Sequence, residues 1–459
     1  MHKVLIANRG EIACRVIQAC KALGLETVAV HSEADANALH VQMADVAVPI
    51  GPPPAVQSYL NVERILAAAA AHAVDGVHPG YGFLSENTAF ARAAEAAGVK
   101  WIGPTPESIE DMGDKERARE IAKAAGLPIL PGSARFAPGA LAGLADAAKA
   151  VGFPLLVKAT GGGGGIGMRR VDAPDALETA VTATQQQAAK SFGDGTIYLE
   201  HFVPRARHVE IQVFGYGDGD AVHLFERECS IQRRFQKIIE ESPAPGLPPE
   251  LLARIAAAAA ELAAHQRYRG PGTVEFIVDA DTLAFYFLEM NTRIQVEHPV
   301  TEMITGWDLV QQQIQLAAGR ATKTTQQAIT RRGAAIECRL YAENPLKNFF
   351  PSPGKLEVFA LPQGMADVRI DTGVREGDMI TPYYDPMIAK MIAWGNDRGA
   401  ALDRMRAALD ESRIGGVKNN VEFLKVIVDH PEFRAGRIDT GLIDRERAAL
   451  LAAMPAWKP

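Results

Sequence analysis

The chain has 459 residues, which is too long for a single hydrophobic core and predicts two or three domains. Hydrophobic residues make up 47% of it, charged residues 22%, and the net charge is −7. This composition is typical of a globular enzyme and gives no sign of a nucleic-acid or membrane partner. The N-terminus does not resemble a signal peptide, and no apolar window of about eighteen residues could span a bilayer.

The cysteine pattern predicts reduced thiols. Cys14, Cys20, Cys229 and Cys338 form neither a Cys-x-x-Cys pair nor a zinc spacing. Unpaired cysteines are typical of a cytoplasmic protein, so we expect a cytoplasmic location. Burial within the core is the role we expect for these side chains.

Residues 1 to about 112 alternate short apolar runs with helical patterns, which predicts a parallel sheet with crossover helices. The first turn, residues 7–13, lacks the Gly-x-Gly-x-x-Gly fingerprint, so we do not expect nicotinamide or flavin binding. A glycine-dense loop follows at residues 78–87, and its composition fits a plain surface loop as well as a ligand contact. The predicted strands and helices lie at residues 4–7, 11–23, 27–30, 64–72 and 76–78.

Proline and glycine at residues 103–106 and 126–132 predict a linker followed by a small inserted domain. Inside it, a predicted strand ends at Lys158, and five glycines follow at residues 161–165. Glycine accepts positive φ, so such a loop can wrap its N–H groups around an anion such as a triphosphate. The Gly-Lys-Ser/Thr of a P-loop is absent. A flexible linker is the alternative, although a linker would carry more serine and no flanking strand.

Residues 226–237 hold three arginines and a lysine close together. Charge alone favours a solvated face. Beside a triphosphate site, binding of phosphate or of another small anion becomes the better interpretation.

Two β-rich segments, residues 272–278 and 285–291, flank a turn rich in aspartate and threonine, which predicts a hairpin. A hairpin closed around Thr282 would set Glu275 opposite Glu289. Opposed like charges repel, so we expect a cation between them. Asn291 would lie on the same face, and this all-oxygen set suits Mg²⁺.

The polar pattern continues past the hairpin to Glu297. In an extended chain the odd positions share one face, and Phe285 and Phe287 would lie on that face upstream, so we predict a core strand that opens into a site. An edge strand with a solvated face is the alternative. A carboxylate at 297 beside a guanidinium at 293 could act as a general base, whereas a structural ion pair is the other possibility. The polar odd positions are Glu289, Asn291, Arg293, Gln295 and Glu297.

Together, these segments resemble biotin carboxylase, an enzyme of ATP-grasp architecture. The resemblance runs in order from about residue 3 to about residue 445. It is carried by residues 7–13, 78–87, 112–115, Lys158 with its glycines, 207–212, 232–237 and 289–302.

The resemblance implies an α/β fold with an α+β lid. The expected parts are an N-terminal parallel-sheet domain (1–112), a linker and ATP-grasp lid (113–203, the lid from about 130), a C-terminal domain (204–446) and a tail (447–459).

The implied activity is the ATP- and bicarbonate-dependent carboxylation of biotin through carboxyphosphate, the first half-reaction of a biotin-dependent carboxylase. The implied cofactors are ATP and Mg²⁺ or Mn²⁺, with biotin as a substrate on a separate carrier. The implied partners are a biotin carboxyl carrier protein or domain and a carboxyltransferase component, in a homodimer or a larger complex. Another ATP-grasp ligase, such as a purine-pathway or carbamoyl-phosphate-type synthetase, and a degenerate ATP-binding subunit are the alternatives.

The resemblance also implies site residues. Glu297 would be the base for bicarbonate, Arg339 would stabilise the biotin enolate, and Tyr81 would pack near biotin. The metal ligands would be Glu275, Glu289 and Asn291. Bicarbonate would contact Lys237, Arg293, Gln295 and the backbone of Val296. ATP would contact Lys115, Lys158, Gly163, Gly164, Gly165, Glu200, Val203, His208, Gln232 and Glu275.

Two positions depart from many relatives. Phe235 replaces a polar residue and Ile166 replaces a basic one, so each removes a possible contact with the nucleotide. The biotin-attachment sequence Ala-Met-Lys-Met is absent, so we expect biotin on a separate carrier, or the chain as the N-terminal part of a longer subunit. Residues 371–378 resemble the subunits of acyl-CoA or urea carboxylases more than the stand-alone bacterial component, and the final carboxyl acceptor is not predicted.

Overall fold

The computed structural model of the protein describes residues 1–160, 167–234 and 236–455. The described N-terminal residues form a five-stranded parallel sheet with strand order β3-β2-β1-β4-β5, which confirms the predicted parallel sheet. Its elements are β1 (Lys3–Ile6), α1 (Gly10–Ala22), β2 (Glu26–His31), α2 (Leu39–Met43), β3 (Val46–Pro49), α3 (Val62–Ala71), β4 (Gly76–His78), α4 (Thr88–Ala96), β5 (Lys100–Trp101) and α5 (Pro106–Gly113).

Local sequence explains where these elements begin. The helices α3 and α4 start after Asn61 and Asn87, whose side chains accept a hydrogen bond from an N–H of the first turn. The glycine-dense loop 78–87 is held against the end of β1, because Asn8 donates hydrogen bonds to the carbonyl oxygens of Pro79 and Tyr81.

The lid contains an antiparallel sheet of order β7-β6-β8 in its described residues. The predicted contacts at Gly163, Gly164 and Gly165, and the departures at Ile166 and Phe235, lie outside the described residues. The elements of this region are α6 (Lys115–Ala124), α7 (Leu144–Val151), β6 (Leu155–Ala159), β7 (Met168–Val171), α8 (Leu177–Phe192) and β8 (Ile197–His201).

The described residues of the C-terminal half form an eight-stranded antiparallel sheet of order β13-β12-β9-β10-β11-β14-β21-β19. The elements are β9 (Ala206–Tyr216), β10 (Ala221–Arg233), β11 (Gln236–Ser242), α9 (Pro249–His265), β12 (Arg269–Asp279), β13 (Phe285–Asn291), α10 (His298–Thr305), α11 (Leu309–Ala317), β14 (Ala334–Tyr341), β15 (Glu343–Asn344), β16 (Phe350–Pro351), β17 (Gly354–Lys355), β18 (Val358–Ala360), β19 (Val368–Thr372), β20 (Met379–Ile380), β21 (Met387–Gly395), α12 (Arg398–Glu411), β22 (Arg413–Gly415), α13 (Val421–Asp429), α14 (Pro431–Arg434) and α15 (Leu442–Ala453).

The large sheet has one apolar face and one polar face. On β9, Val209, Ile211 and Val213 pack against α9 in a buried cluster. The intervening Glu210 and Gln212 are also fully buried but point to the opposite face. This alternation places charged side chains on one side of the sheet, where they meet groups from the lid and from loop 78–87.

The predicted common face of the odd positions in β13 is wrong. The strand register shifts by one residue between the pair Glu275–Glu289 and the next pair, so a β-bulge falls at Leu288. Phe287 packs in the same cluster as Met290, so the parity of the core face changes at the bulge. The strand also ends at Asn291, and Glu297 lies immediately before α10. The residues beyond Asn291 are therefore positioned by a loop and not by strand periodicity.

All four cysteines are buried and unpaired in the structure, as expected. Within the described segments, no helix is both long enough and apolar enough to cross a membrane. The domain boundaries at residues 112, 203 and 446 stay predictions.

Candidate active site

A cavity of about 1270 Å³ lies over the polar face of the large sheet. Groups from the lid and from loop 78–87 also line its wall. It brings together all the predicted site residues that lie in the described ranges, namely Tyr81, Lys115, Lys158, Glu200, Val203, His208, Gln232, Lys237, Glu275, Glu289, Asn291, Arg293, Gln295, Val296, Glu297 and Arg339.

Lys237 is at the centre of this site. Its Nζ donates to Glu210 at 2.5 Å, to Glu275 at 2.9 Å and to Glu297 at 2.7 Å. Burial acts to lower the pKa of Lys237, but the three carboxylates raise it well above its usual value. The ammonium group is therefore charged, and it joins β11, β9, β12 and the start of α10.

Glu297 lies between two cations. One carboxylate oxygen contacts Lys237, and the other accepts a hydrogen bond of 2.9 Å from Nη2 of Arg339. Burial acts to raise the pKa of this fully buried side chain, but Lys237 and Arg339 hold the pKa well below its usual range. An ionised carboxylate at this position can accept a proton from a small acid bound beside it.

The predicted pairing of Glu275 with Glu289 is confirmed by the register of β12 and β13. Glu275 accepts hydrogen bonds of 2.9 Å from Lys237 and from Nδ2 of Asn291, and its other oxygen lies 2.9 Å from His208. Burial acts to raise the pKa of Glu275, yet Lys237 and His208 keep it far below its usual value. Burial and the charge of Glu275 raise the pKa of Glu289.

These opposite shifts show two carboxylates competing for a limited positive charge. A divalent cation between them would relieve that repulsion. Carboxylate and amide oxygens are also the donors that Mg²⁺ prefers. The residues present therefore fit the implied metal.

Arg293 bridges the two halves of the site. Its guanidinium donates hydrogen bonds of 2.8 Å to Asn291, to Gln295 and to Glu86. Glu86 comes from loop 78–87, and it also accepts the N–H of Thr292 at 3.0 Å. The loop therefore contributes to the site through a carboxylate that we did not predict.

On the lid side, Lys158 and Glu200 are paired. Lys158 donates to Glu200 at 2.7 Å, and Arg119 donates to the other oxygen of Glu200 at 2.6 Å. Burial acts to lower the pKa of Lys158, but Glu200 raises it. The structure thus pairs Lys158, which is expected to contact the phosphates of ATP, with Glu200, which is expected to contact adenine. It also shows that Glu200 is held by Arg119, a residue that the sequence did not single out.

His208 and Gln232 also touch each other. Nε2 of Gln232 lies 2.8 Å from Nδ1 of His208 and donates to the carbonyl oxygen of Cys229 at 2.8 Å. Burial acts to lower the pKa of His208, but Glu275 raises it.

Arg339 and Tyr81 line the other end of the cavity. Besides Glu297, Nη2 of Arg339 lies 2.5 Å from Glu240. The hydroxyl of Tyr81 donates to Glu11, whose other oxygen lies 2.9 Å from Nζ of Lys390.

Lys390 supports the predicted bicarbonate contact at the backbone of Val296. It is fully buried on β21, and its Nζ donates to the carbonyl oxygen of Val296 at 2.8 Å. The backbone predicted to bind bicarbonate is therefore fixed by a charged side chain below it.

Five fully buried charged residues of the described segments lie near the site in roles that the sequence did not predict. Arg227 is fully buried and donates to Glu210 at 2.6 Å, to Gln212 at 2.7 Å, and to Thr301 and Thr273 at 2.9 Å each. Arg227 lies in the basic run that was expected to bind an anion, but its partners are protein side chains. For the other four residues the available signal was a charged residue inside an apolar β-rich run, which is costly to bury unless it is paired. The five are Glu210, Arg227, Glu240, Glu337 and Lys390.

A small antiparallel lid over a sheet that presents lysines and opposed carboxylates defines an ATP-dependent ligase of the ATP-grasp class. Family models agree in chain order. The biotin carboxylase N-terminal domain matches residues 1–109, the ATP-binding domain of the carbamoyl-phosphate synthase L chain matches 114–325, and the biotin carboxylase C-terminal domain matches 337–445. The chain belongs to the biotin carboxylase family, which confirms the predicted class of enzyme.

Individual relatives are consistent with this assignment. Biotin carboxylase 1 of Bacillus subtilis is 48% identical over 97% of this chain and 98% of its own length. The mitochondrial methylcrotonoyl-CoA carboxylase subunit alpha of Mus musculus is 48% identical over 98% of this chain, which spans only 62% of that longer protein. The biotin carboxylase domain of Hydrogenobacter thermophilus 2-oxoglutarate carboxylase, solved as a dimer with MgADP, ADP and bicarbonate, has a TM-score of 0.91 and 44% identity, covering 98% of both chains.

Proposed function

We propose that this chain carboxylates biotin in an ATP- and bicarbonate-dependent reaction through carboxyphosphate, as the first half-reaction of a biotin-dependent carboxylase. One observation carries the proposal: the ammonium of Lys237 contacts both Glu275 and Glu297. The expected metal carboxylates and the expected base for bicarbonate are therefore within reach of one cation, as transfer from a nucleotide to bicarbonate requires.

ATP is held from the lid and from the polar face of the sheet. Lys115, Lys158 and the backbone of residues 163–165 bind its phosphates, whose negative charge attracts Lys158 away from Glu200. Glu200 and the backbone of Val203 bind adenine. The remaining nucleotide contacts come from His208 and Gln232.

Glu275, Glu289 and Asn291 would hold the metal. A Mg²⁺ ion held there would supply positive charge that offsets the negative charge developing on the phosphates during phosphoryl transfer.

Bicarbonate is held by Lys237, Arg293, Gln295 and the backbone of Val296. Glu297 removes the proton of its hydroxyl, and the resulting oxygen attacks the γ-phosphorus of ATP. The new P–O bond forms carboxyphosphate while the bond to ADP breaks. Lys237 turns toward the substrate anion during binding, and Glu297 then loses part of the charge that keeps its pKa low, so it becomes a stronger base.

Biotin reacts at the Arg339 end of the cavity. Carboxyphosphate breaks down to carbon dioxide and phosphate, and the phosphate takes the N–H proton of the biotin ureido group. The enolate so formed attacks the carbon dioxide through that nitrogen, which forms the new C–N bond. The guanidinium of Arg339 stabilises the enolate oxygen, and Tyr81 packs near the ring system. These groups belong to the same cavity as the bicarbonate residues, which supports a sequential reaction without release of carboxyphosphate.

The partners belong to the same proposal. We expect biotin to be presented on a carrier protein or domain and passed to a carboxyltransferase component, with the chain in a homodimer or a larger complex. The names of the relatives, which include subunits of multi-component carboxylases, support this arrangement. A cytoplasmic location is supported by four buried, unpaired thiols.

The test is release of ADP by the purified chain with Mg²⁺, ATP, bicarbonate and free biotin. Release that requires bicarbonate and rises on adding biotin is expected. Release that is indifferent to both would indicate another ATP-grasp ligase. Absence of ADP release, despite binding of ATP, would indicate a regulatory ATP-binding subunit.

A further inference from the structure

Two buried carboxyl groups lie together beneath the Arg339 end of the cavity. The register of β11 and β14 places Glu240 directly opposite Glu337. Neither side chain is exposed to solvent, at 0% for both. In the described part of the chain, none of their four carboxyl oxygens has a hydrogen-bond partner. Opposed residues on paired antiparallel strands have Cβ atoms about 4.5–5.5 Å apart, so the two side chains are direct neighbours in a dry interior.

The surrounding cations are shared with other acids. Glu240 lies 2.5 Å from Arg339, but not along an N–H direction, and the same guanidinium donates to Glu297. Lys390, on the strand next to Glu337, contacts Glu11. Several titratable and charged groups interact electrostatically with the pair. They are Lys237 from β11, Arg339, Cys338 and Tyr341 from β14, Lys390 from β21, Cys229 from β10 and Glu297 before α10.

We propose that Glu240 and Glu337 share one proton and that this singly charged pair positions Arg339 for biotin. The positioning half rests on the proposed function, in which Arg339 stabilises the biotin enolate. The proton-sharing half stands independently of it.

Electrostatics supports the shared proton. Burial raises the pKa of Glu240 to about 7 despite the adjacent guanidinium. Burial, together with Glu240, also raises the pKa of Glu337 well above its usual value. Two carboxyl groups this close cannot both ionise cheaply, so their protons leave in two separated steps. Near neutral pH the pair then carries one negative charge and one proton.

That charge state matters to Arg339. One negative charge below the guanidinium and the ionised Glu297 beside it hold Arg339 between them. A second charge on the pair would draw the guanidinium down and away from the cavity. With no charge on the pair, Glu297 would be the one anion beside Arg339, and the guanidinium would move toward Glu297.

Infrared spectroscopy tests the shared proton without any assay of turnover. A neutral buried carboxylic acid has a carbonyl-stretch band separate from those of carboxylates and amides. We expect both Glu240→Gln and Glu337→Gln to remove the same band, because the remaining carboxyl group ionises once its neighbour is neutral. Glu241→Gln on the same strand, whose side chain pairs with Arg398, is the matched control and should keep the band. A band that survives in both test variants, or that is absent from the wild type, overturns the proposal.

Native capillary electrophoresis at pH 8 gives a second reading. Each single variant should migrate like the wild type, whereas the double variant and Glu241→Gln should each gain one positive charge. A charge gain in either single variant would show that both carboxyl groups are ionised in the wild type.

Biotin kinetics test the positioning of Arg339. Glu240→Gln removes the group that touches Arg339 and should raise the KM for biotin roughly tenfold, while the KM for ATP is kept. Glu337→Gln leaves one charge beside Arg339 and should have the smaller effect. Equal effects of the two variants, or a shift in the KM for ATP instead, would refute positioning by the pair. If the proposed function itself were wrong, the result would be different, because adding biotin would not change ADP release by the wild type either.

Discussion

Exchanging Glu297 for glutamine separates its role as a base from its role as an ion-pair partner. The glutamine keeps the shape of the side chain but cannot take up the proton of bicarbonate. Removal of a general base typically costs 10²- to 10⁴-fold in rate, so we expect kcat for bicarbonate-dependent ADP release to fall by roughly that factor. Lys237 keeps Glu210 and Glu275, and Arg339 keeps Glu240, so the free energy of unfolding should fall by only about 1–3 kcal/mol.

Glu210→Gln is the matched control. Glu210 is equally buried and contacts the same ammonium group, at 2.5 Å, but it does not touch Arg339. It is also the carboxylate that pairs with the fully buried Arg227, so its loss should lower the free energy of unfolding by about 3–5 kcal/mol. The two variants should therefore rank in one order for activity and in the opposite order for stability. Glu297→Gln should be the less active, and Glu210→Gln the less stable.

ADP release and urea unfolding, measured on the same preparations, check this crossed ranking. Turnover of Glu297→Gln within about threefold of the wild type would refute its role as the base, since a general base contributes far more than that. A rate loss in Glu210→Gln as large as in Glu297→Gln would show that pairing with Lys237, and not proton transfer, is the function of Glu297.

Three further substitutions test other parts of the site. Glu289→Gln should raise the Mg²⁺ concentration for half-maximal activity at least roughly tenfold. In the presence of a chelator its melting temperature should be unchanged or higher, because the substitution removes a carboxylate that Glu275 repels. A lower melting temperature in chelator would contradict this. Asp35 accepts hydrogen bonds of 2.6 and 2.9 Å from the guanidinium of Arg9, which lines the cavity, so Asp35→Asn should lower the free energy of unfolding at pH 7 by about 2 kcal/mol. Burial acts to raise the pKa of Asp35, but Arg9 lowers it below 3.8, so its stabilisation is present above pH 3.8 and is lost as pH falls through the folded-state pKa; a wild-type advantage unchanged below pH 3.8 would contradict this. Arg119→Met should raise the KM for ATP about tenfold by releasing Glu200, with no change in the KM for bicarbonate, and an equal change in both would remove Glu200 from the adenine contacts.

The sequence predicted the hairpin and the pairing of Glu275 with Glu289, but the turn alone does not set that pairing. Beside the turn, Phe276 pairs with Phe287, which is one residue out of the predicted register, and the bulge at Leu288 restores that register. The same bulge exchanged the two faces of the strand, so the predicted common face of the odd positions failed. Alternation of polar residues carries no signal for an inserted residue, so strand periodicity was extended beyond the end of β13 at Asn291.

The roles of the buried charged residues could not be predicted from the sequence, for a different reason. Glu210 and Glu240 lie in apolar β-rich segments and Arg227 lies in a charged one, but in each case nothing local indicates which way the side chain faces. Their partners come from β10, β9 and β14, and those pairings depend on the order of strands in the sheet. The resemblance to biotin carboxylase supplied the residues that are expected to contact substrate, but it did not identify the buried residues that hold them in place.

The contacts of Lys237 also show that the large sheet is curved. Between β11 and β12 lie β10 and β9, so in a flat sheet the two outer strands would be about 14 Å apart. Side chains stand roughly perpendicular to a sheet, and their tips would then be nearly as far apart as their strands. Lys237 nevertheless reaches Glu275 at 2.9 Å, so the sheet is concave toward the cavity. Register shifts in β10, at His223–Glu226 and Glu228–Ile231, provide bends between the two strands. Curvature is therefore what brings charges on distant strands together, and a deletion that removed either bulge would move Lys237 away from Glu275 without changing any residue that is expected to contact substrate.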